Sequence, residues 1–459
     1  MSALVKLVQV RTIPARMKKQ YYSSQTEKAL QNFPFDFRKT YKELIYTIVE
    51  IKKAAARAHF AAKELDKARA DAISRTCDEI LEGKFDDQFI LPSFQGGMGT
   101  SNHMNVNEVI ASRATEIIKE SNHDEMTSHR VHPNDHVNMS HSTNDVMPSA
   151  LKIASIRLVD KLDDSLKVLI AAFEKKAKEF SKVLKLGRTH MQDAVPITLG
   201  DEFASYAETI KRRRKGMREA REYLFELNLG GSAVGNSINV SPKYKQLLYR
   251  ELQKITKLKV RPAKNLMSQT ASVTDFLVVS QALTALCADL SKIAGDFRIL
   301  SSGPKGGFGE LILPELQAGS SIMPGKVNPV LPEALSQLYY LVSGNNLTIE
   351  KACEGAQLEL GVMMPVITDR FIESLKLSQE MIEQFATKCV AIAEANKARI
   401  KEHLEKSTAY ATLLNPIIGH DKAAECVKEA VASGKTLREV VLSRKLLTPK
   451  AFERVTSSK

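Results

Sequence analysis

The sequence predicts an all-α protein with a central bundle of five long helices, and three observations carry that expectation. From Phe276 the apolar residues run Phe276, Val279, Leu283, Leu286, Leu290, Ile293, Phe297 and Leu300, alternating steps of three and four that make a helix-packing seam. Similar periodicity recurs over about 145–180, 198–228, 333–357 and 366–398. Strand signals are weak: alternating runs are few, no Asn-Gly or Asp-Gly pair occurs, and aromatics make up only 6% of the chain.

The elements fall into three stretches. Composition changes near 141, where His- and Asn-rich loops give way to the first long helix, and near 397, where shorter mixed segments begin. The expected domains are therefore an N-terminal domain (1–141), a helical bundle (142–396) and a small C-terminal domain (397–459). At 459 residues and 43% hydrophobic, the chain can bury large cores. Its most apolar stretch, "FLVVSQALTALCADL", is broken by Ser, Gln, Thr and Asp, so no membrane partner is expected. Five scattered cysteines (77, 287, 353, 389, 426) form no CxxC and read as buried thiols in a reducing compartment.

The net charge of +13 raises the question of nucleic acid. The densest basic run, Lys211 to Lys215, sits in a helical stretch with acids close behind and no interleaved aromatics, so it reads as a solvated helix face and no nucleic-acid partner is expected. Residues 1–26 carry five Lys or Arg and no acid. They are read as an arm that stays with a cytoplasmic protein, the alternative being a mitochondrial leader.

Four polar loops next to the long helices carry the candidate chemistry. "FQGGMGTSNHMNVNE" (94–108) combines glycines with Thr100 and several amides, and "HPNDHVNMSHSTNDVMP" (132–148) ends in Ser142, Thr143 and Asn144 where a long helix begins. A helix N-terminus offers unpaired N–H groups and about half a positive charge, a setting for anions. "GRTHMQDAVPITLG" (187–200) offers Arg188, Thr189 and His190 in a loop. "GSSIMPGKVNP" (319–329) is a mobile loop with Ser320, Ser321, Lys326 and Asn328. Any one of these alone reads as turn and cap chemistry. Four of one chemical type, each abutting a bundle helix, read as a site. Six of the ten histidines lie between 103 and 141, with His132 and His136 at the spacing of a metal pair, but "HPND" forms turns and no nearby Cys or Glu completes a ligand set. No metal is expected.

The stretch "GSSIMPGKVNP" resembles the signature of the fumarase/aspartase superfamily, and the other three loops follow in that family's order and spacing, from "PARMKKQYY" to "LNPIIGHDKAAE". The resemblance implies an all-α homotetramer with a twenty-helix core, active sites shared between three subunits, no cofactor, and elimination from a small dicarboxylate to release fumarate. It implies Ser320 as the catalytic base on a closing loop, His190 as a second catalytic residue, and Thr100, Ser142, Thr143, Asn144, Thr189, Lys326 and Asn328 as substrate ligands. A secondary anion site is implied at His132, Asn134 and Asp135. The wording of "FQGGMGTS", "STND", "DAVP", "LPELQAGSSIMPGKVNPV" and "EGAQLELGVMMPVI" is closer to aspartate ammonia-lyases, which release ammonia from L-aspartate. Class II fumarate hydratase is the alternative, and a catalytically altered paralogue the second. The family usually has Asn at 103, Gln at 141, Asn at 361 and a Gly-Thr-Gly run at 235–237, where this chain has His103, His141, Gly361 and Gly-Asn-Ser.

The apolar seams of the central helices are too long for one five-helix bundle to hide. The protein is therefore expected to be a homotetramer whose isolated chain does not fold stably; light scattering that found the mass of a single chain at micromolar concentration would overturn this.

Overall fold

The computed structural model describes residues 19–121 and 130–456. Most of the N-terminal arm, and two histidines of the 103–141 group, His123 and His129, lie outside the described residues. The fold is all-α, and the five expected long helices are present: α5 (Thr143–Glu179), α6 (Leu199–Arg221), α9 (Thr274–Leu300), α10 (Val330–Glu354) and α11 (Met364–Lys388). Contacts divide the chain into two units, each assembled from separated segments. One holds the described residues up to Ala154 with Phe225–Val273 and Ala352–Asp369; the other holds Ser155–Leu224, Thr274–Lys351 and the described chain from Arg370 onward.

The first unit is organised on α2 (Lys42–Ala62), which packs against α3 (Lys67–Leu81) and α7 (Pro242–Thr256), while α3 packs on α4 (Thr100–Ser121). α2 is buried nearly all round, with Ile45, Ile48, Ala55 and Ala58 almost inaccessible. α7 starts on Ser241, whose hydroxyl accepts the N–H of Tyr244, with a proline at its first position, and the short α8 (Leu266–Ala271) follows it in the chain. The short α1 (Ser24–Asn32) has no side-chain cap of its own. Instead Glu108 of α4 accepts the N–H groups of Ser23, Gln25 and Thr26 and the Thr26 hydroxyl, at 2.6–3.2 Å, so a buried carboxylate takes the role of the cap. The described end of the arm is thereby docked on α4.

The second unit is the bundle. The whole seam of α9 from Phe276 to Leu300 is buried. Phe173 of α5, Phe203 of α6, Phe297 of α9 and Phe385 of α11 form one aromatic cluster, with Phe297 5.6 Å from Phe203 and 5.4 Å from Phe385 between centroids. Asn345 ties α10 to Glu373 and Ser374 of α11. By length and hydropathy α9 would suffice to cross a membrane. Here its seam is packed, and Asp289 and Asp296 are held by Arg213 and Tyr206 of α6. The basic run on α6 is also neutralised locally, Lys211 by Glu174 and Arg214 in a two-pronged pair by Asp163. Beyond the bundle come α12 (Lys397–Lys406), α13 (Ala411–Ile418), α14 (His420–Ser433), α15 (Leu437–Ser443) and α16 (Pro449–Thr456), the last four around a core of Leu414, Cys426, Val440 and Phe452. All five cysteines are buried and free.

Two expectations are corrected. The α9 seam, expected to be too long for one bundle to hide, is buried within the single chain. Residues 187–200 are not a loop: β1 (Leu184–Thr189) and β2 (Gln192–Thr198) form an antiparallel hairpin closing at Thr189 and Gln192. Its two turn residues, His190 and Met191, both take positive φ, 53° and 62°. Such turns usually recruit Asn or Gly, which is why the sequence gives no warning of it.

α6 begins where the hairpin ends, and Gly200 is pressed on the end of α5: a Cβ there would lie 2.5 Å from Ala177 O and 2.7 Å from Ser181 Cα. Gly200→Ala is therefore expected to destabilise the protein by roughly 1–3 kcal/mol, although alanine is the better helix former. Denaturant unfolding checks it; an unchanged or raised midpoint would contradict the contact.

Candidate active site

In the first unit the glycine-rich segment makes a left-handed turn before α4. Gly97, Met98 and Gly99 all have positive φ, a conformation that costs Met98 on the order of 1–3 kcal/mol and marks a constrained site. Thr100 opens α4 and its hydroxyl donates to Gly97 O at 2.8 Å. One turn later His103 is buried, its Nδ1 2.9 Å from Thr143 Oγ1 at the start of α5. His103 thus joins the first two loops.

The start of α5 is fixed by its own side chains. Ser142 Oγ accepts the N–H of Asn144 at 3.2 Å. Asp145 is fully buried and accepts three N–H groups at 3.0 Å each, Ser142 on Oδ1 and Gly230 and Ser232 on Oδ2. Burial pushes its carboxyl up, to about 7, against the pull of those donors. The Asn144 amide donates to Ala233 O at 2.8 Å, and Asn228 Nδ2 donates to the Asn144 carbonyl at 3.0 Å. The 228–233 segment is therefore bound to the helix terminus.

Behind this terminus lies a buried basic cluster that the motifs did not announce. Lys52, wholly inaccessible, donates to Asn138 Oδ1 at 2.7 Å and lies 3.2 Å from His141 Nδ1. His141 Nε2 is 2.8 Å from the Tyr244 hydroxyl, and His59 stacks on the Tyr244 ring at 3.7 Å. Burial pulls the Lys52 ammonium down to about 7, with Asp145 opposing, and pulls His103 and His141 well below their ordinary range, Lys52 adding to the effect. One signal was present: Ile45, Ile48, Lys52, Ala55 and His59 continue a three-four seam, placing a charge where α2 faces the interior.

His132, Asn134 and Asp135 sit together in a π-helical turn, Pro133–Val137. His132 Nδ1 accepts the N–H groups of Asn134 and Asp135, and the backbone N–H of His132 donates to His136 Nδ1 at 2.8 Å. Among the described residues no group of three His, Cys, Asp or Glu is arranged to hold a metal.

In the second unit Thr189 and His190 are exposed at the end of the hairpin. Arg188 beside them stacks on Phe308 and binds the buried Glu310 at 2.7 Å; Lys185 and His403 reach the same carboxylate. Burial works against the charge of Glu310, but Arg188 and the other basic groups hold its carboxyl below the usual range. This node joins the hairpin to the chain leading into the 319–329 loop. Within that loop Ser320 Oγ accepts the N–H groups of Ile322 and Met323 at 3.2 and 3.1 Å. Asn328 Nδ2 donates to Gly319 O at 2.6 Å and closes the base of the loop. Gly319 has no room for a side chain, since a Cβ would lie 1.7 Å from Lys326 O. Lys326 itself is exposed. The predicted residues thus form two groups: Thr100, Ser142, Thr143 and Asn144 at the starts of α4 and α5, with His132, Asn134 and Asp135, in one unit, and Thr189, His190, Ser320, Lys326 and Asn328 in the other.

Comparison with known proteins gives the class, a lyase. A "Lyase" family model matches residues 15–344 and a "Fumarase C C-terminus" model matches 411–459. The chain belongs to the fumarase/aspartase superfamily. It is 41% identical over 433 residues to aspartate ammonia-lyase of Bacillus subtilis (94% of this chain, 90% of that one), and 41% identical over 435 residues to class II fumarate hydratase of Campylobacter jejuni (95% and 93%). Among solved structures, a fumarate lyase:delta crystallin from Brucella melitensis bound to cobalt matches with TM-score 0.89 and 40% identity, covering 95% of this chain and 94% of that one. Class II fumarase from Schistosoma mansoni matches with TM-score 0.88 and 34% identity, covering 96% and 95%.

The position of Lys52 sets a pH dependence. Its folded value of about 7 lies below the ordinary 10.5, so between those values the unfolded chain binds the extra proton and stability rises with pH. Below about pH 7 the penalty is fully present. Lys52→Met is expected to flatten the rise, read as the difference between wild-type and variant unfolding free energies at pH 7 and pH 9.5; parallel curves would refute the assignment.

Proposed function

We propose that the protein eliminates ammonia from L-aspartate to give fumarate. The observation that carries this reading is the polarity of two side chains. Thr100 gives its hydroxyl proton to Gly97 O, and Asn144 gives an amide proton to Ala233 O. What Thr100 has left are acceptor lone pairs, and Asn144 keeps its Oδ1 lone pairs with one amide N–H to spare. Acceptors suit an ammonium, which departs as neutral ammonia, whereas a departing hydroxide must be given a proton.

Ser320 takes the C3 proton. A serine hydroxyl is too weak an acid to ionise unaided, but two backbone N–H groups already point at its Oγ and stabilise an alkoxide there. The C3–H electron pair passes into the adjacent carboxylate as a doubly charged aci-carboxylate, which Lys326, Asn328 and the donors at the start of α5 stabilise. Collapse of that species forms the C2–C3 double bond while the C2–N pair leaves with nitrogen. His190 and Thr189, presented on the strained hairpin turn, meet the other end of the substrate. The working form is a homotetramer with sites shared between three subunits. Tyr340 and Leu347 on α10, 66% and 56% exposed in the single chain, support such an assembly.

Aspartate and malate, offered separately to one preparation, should give fumarate absorbance from aspartate alone. Formation from malate would favour the hydratase, and formation from neither an altered paralogue. Ser320→Ala is expected to lower turnover at least ~10²-fold with little change in KM, because the base is lost and the carboxylate contacts remain. Lys326→Ala should raise KM as well. A Ser320→Ala enzyme keeping more than about a tenth of wild-type turnover would remove Ser320 from the role.

A further inference from the structure

We propose that His103 is a positioning residue for substrate: it turns the Thr143 hydroxyl so that its proton faces outward as a donor to a carboxylate. The inference rests on the lyase reading above and deepens it.

His103 is 1% exposed, and its only hydrogen-bond contact among the described residues is Nδ1 to Thr143 Oγ1 at 2.9 Å; its Nε2 is buried without a partner. A neutral imidazole carries one N–H, which sits on one nitrogen or the other. On Nε2 it would be a buried donor with no acceptor. On Nδ1 it is donated to Thr143, and Nε2 keeps only an unused lone pair. Buried orphan N–H groups are rarer than under-used acceptors, so the Nδ1–H form is the one this environment selects. Burial and the neighbouring Lys52 keep the ring neutral, which holds it to a single donor.

Thr143 then accepts from His103, and its own proton must go elsewhere. A threonine inside a helix usually donates to the carbonyl one turn back, but Thr143 is the first residue of α5 and has no such helical carbonyl. Ser142 and Asp145 already occupy the neighbouring cap positions. The Thr143 proton is left at a helix N-terminus, where the helix dipole favours an anion. His103 therefore fixes Thr143 as a donor, opposite in sense to Thr100 one helical turn before His103.

The test uses the full-length enzyme with His103→Leu, His103→Asn, Thr143→Ala and the His103→Leu/Thr143→Ala double variant. Two readouts are taken: steady-state constants, and protection from thermal unfolding by succinate. Asn places its side-chain N–H close to where Nδ1–H lies and keeps the donor; Leu does not. His103→Leu and Thr143→Ala are each expected to raise KM and weaken succinate protection about tenfold, the scale of one hydrogen bond to a charged group, with kcat changed less. The double variant should lose no more than either single one, and His103→Asn should bind like wild type. Additive losses, an unchanged KM in His103→Leu, or a His103→Asn as weak as His103→Leu would overturn the inference while leaving the lyase reading intact. If His103→Leu fails to fold, His103→Asn against Thr143→Ala still decides, since only the asparagine variant should retain binding. A wild type that neither binds succinate nor forms fumarate would overturn the lyase reading, and this inference with it.

Discussion

Asp145 is the contact on which the start of α5 depends. Its two oxygens take three backbone N–H groups from two separate pieces of chain, the start of α5 and the 230–232 segment. A carboxylate so placed does the work of a helix cap and of a cross-link at once. With Ser142 and Asp145 satisfying the first turn from within, the Thr143 hydroxyl is not drawn into capping. The same stitching holds Ala233 O where Asn144 can donate to it, which fixes the direction of the Asn144 amide. Without Asp145 both ligands would lose their orientation together.

The polar loops look chemically alike, yet hydrogen bonding assigns them opposite senses. Thr100 gives its proton to a carbonyl and keeps acceptor lone pairs, Asn144 gives one amide proton and keeps Oδ1 and a second N–H, and Ser320 receives two N–H groups and is made a better home for negative charge. Hydroxyls and amides are interchangeable in composition and not in orientation. An elimination that released ammonia from one carbon and took a proton from the next would need both senses. Backbone groups set each of them, so the pattern is built into the chain path more than into the side chains.

This also explains what could be read in advance. The bundle helices were legible because a three-four seam forces a buried face, and the eight positions from Phe276 to Leu300 are all buried. The candidate site residues could be picked out as motifs, and Thr100, Asn144 and Thr189 read as acceptors, but their actual partners are backbone carbonyls and N–H groups that no side-chain pattern names. The hairpin carrying Thr189 and His190 was missed because its turn places His and Met at positive φ where Gly or Asn is usual. The Lys52–His141–Tyr244 chain links positions 89 and 103 residues apart, and the Arg188–Glu310 pair spans 122. Only the lysine on the α2 seam hinted at the first.

Two departures from the family's wording, His103 and His141, are both buried and both feel the charge of Lys52. Burial and the nearby lysine hold both imidazoles neutral, so each offers one donor and one acceptor. For His141 the direction follows from its neighbours: the Lys52 nitrogen can donate, so Nδ1 accepts, and the ring proton stays on Nε2 toward the Tyr244 oxygen. For His103 the partnerless Nε2 selects the opposite tautomer. A third departure is matched in the same way, by fit: Gly361 lies where a Cβ would come 2.6 Å from Val273 Cγ1, so Gly361 and Val273 pack as a pair. His103, His141 and Gly361 are thus each accommodated by specific neighbours.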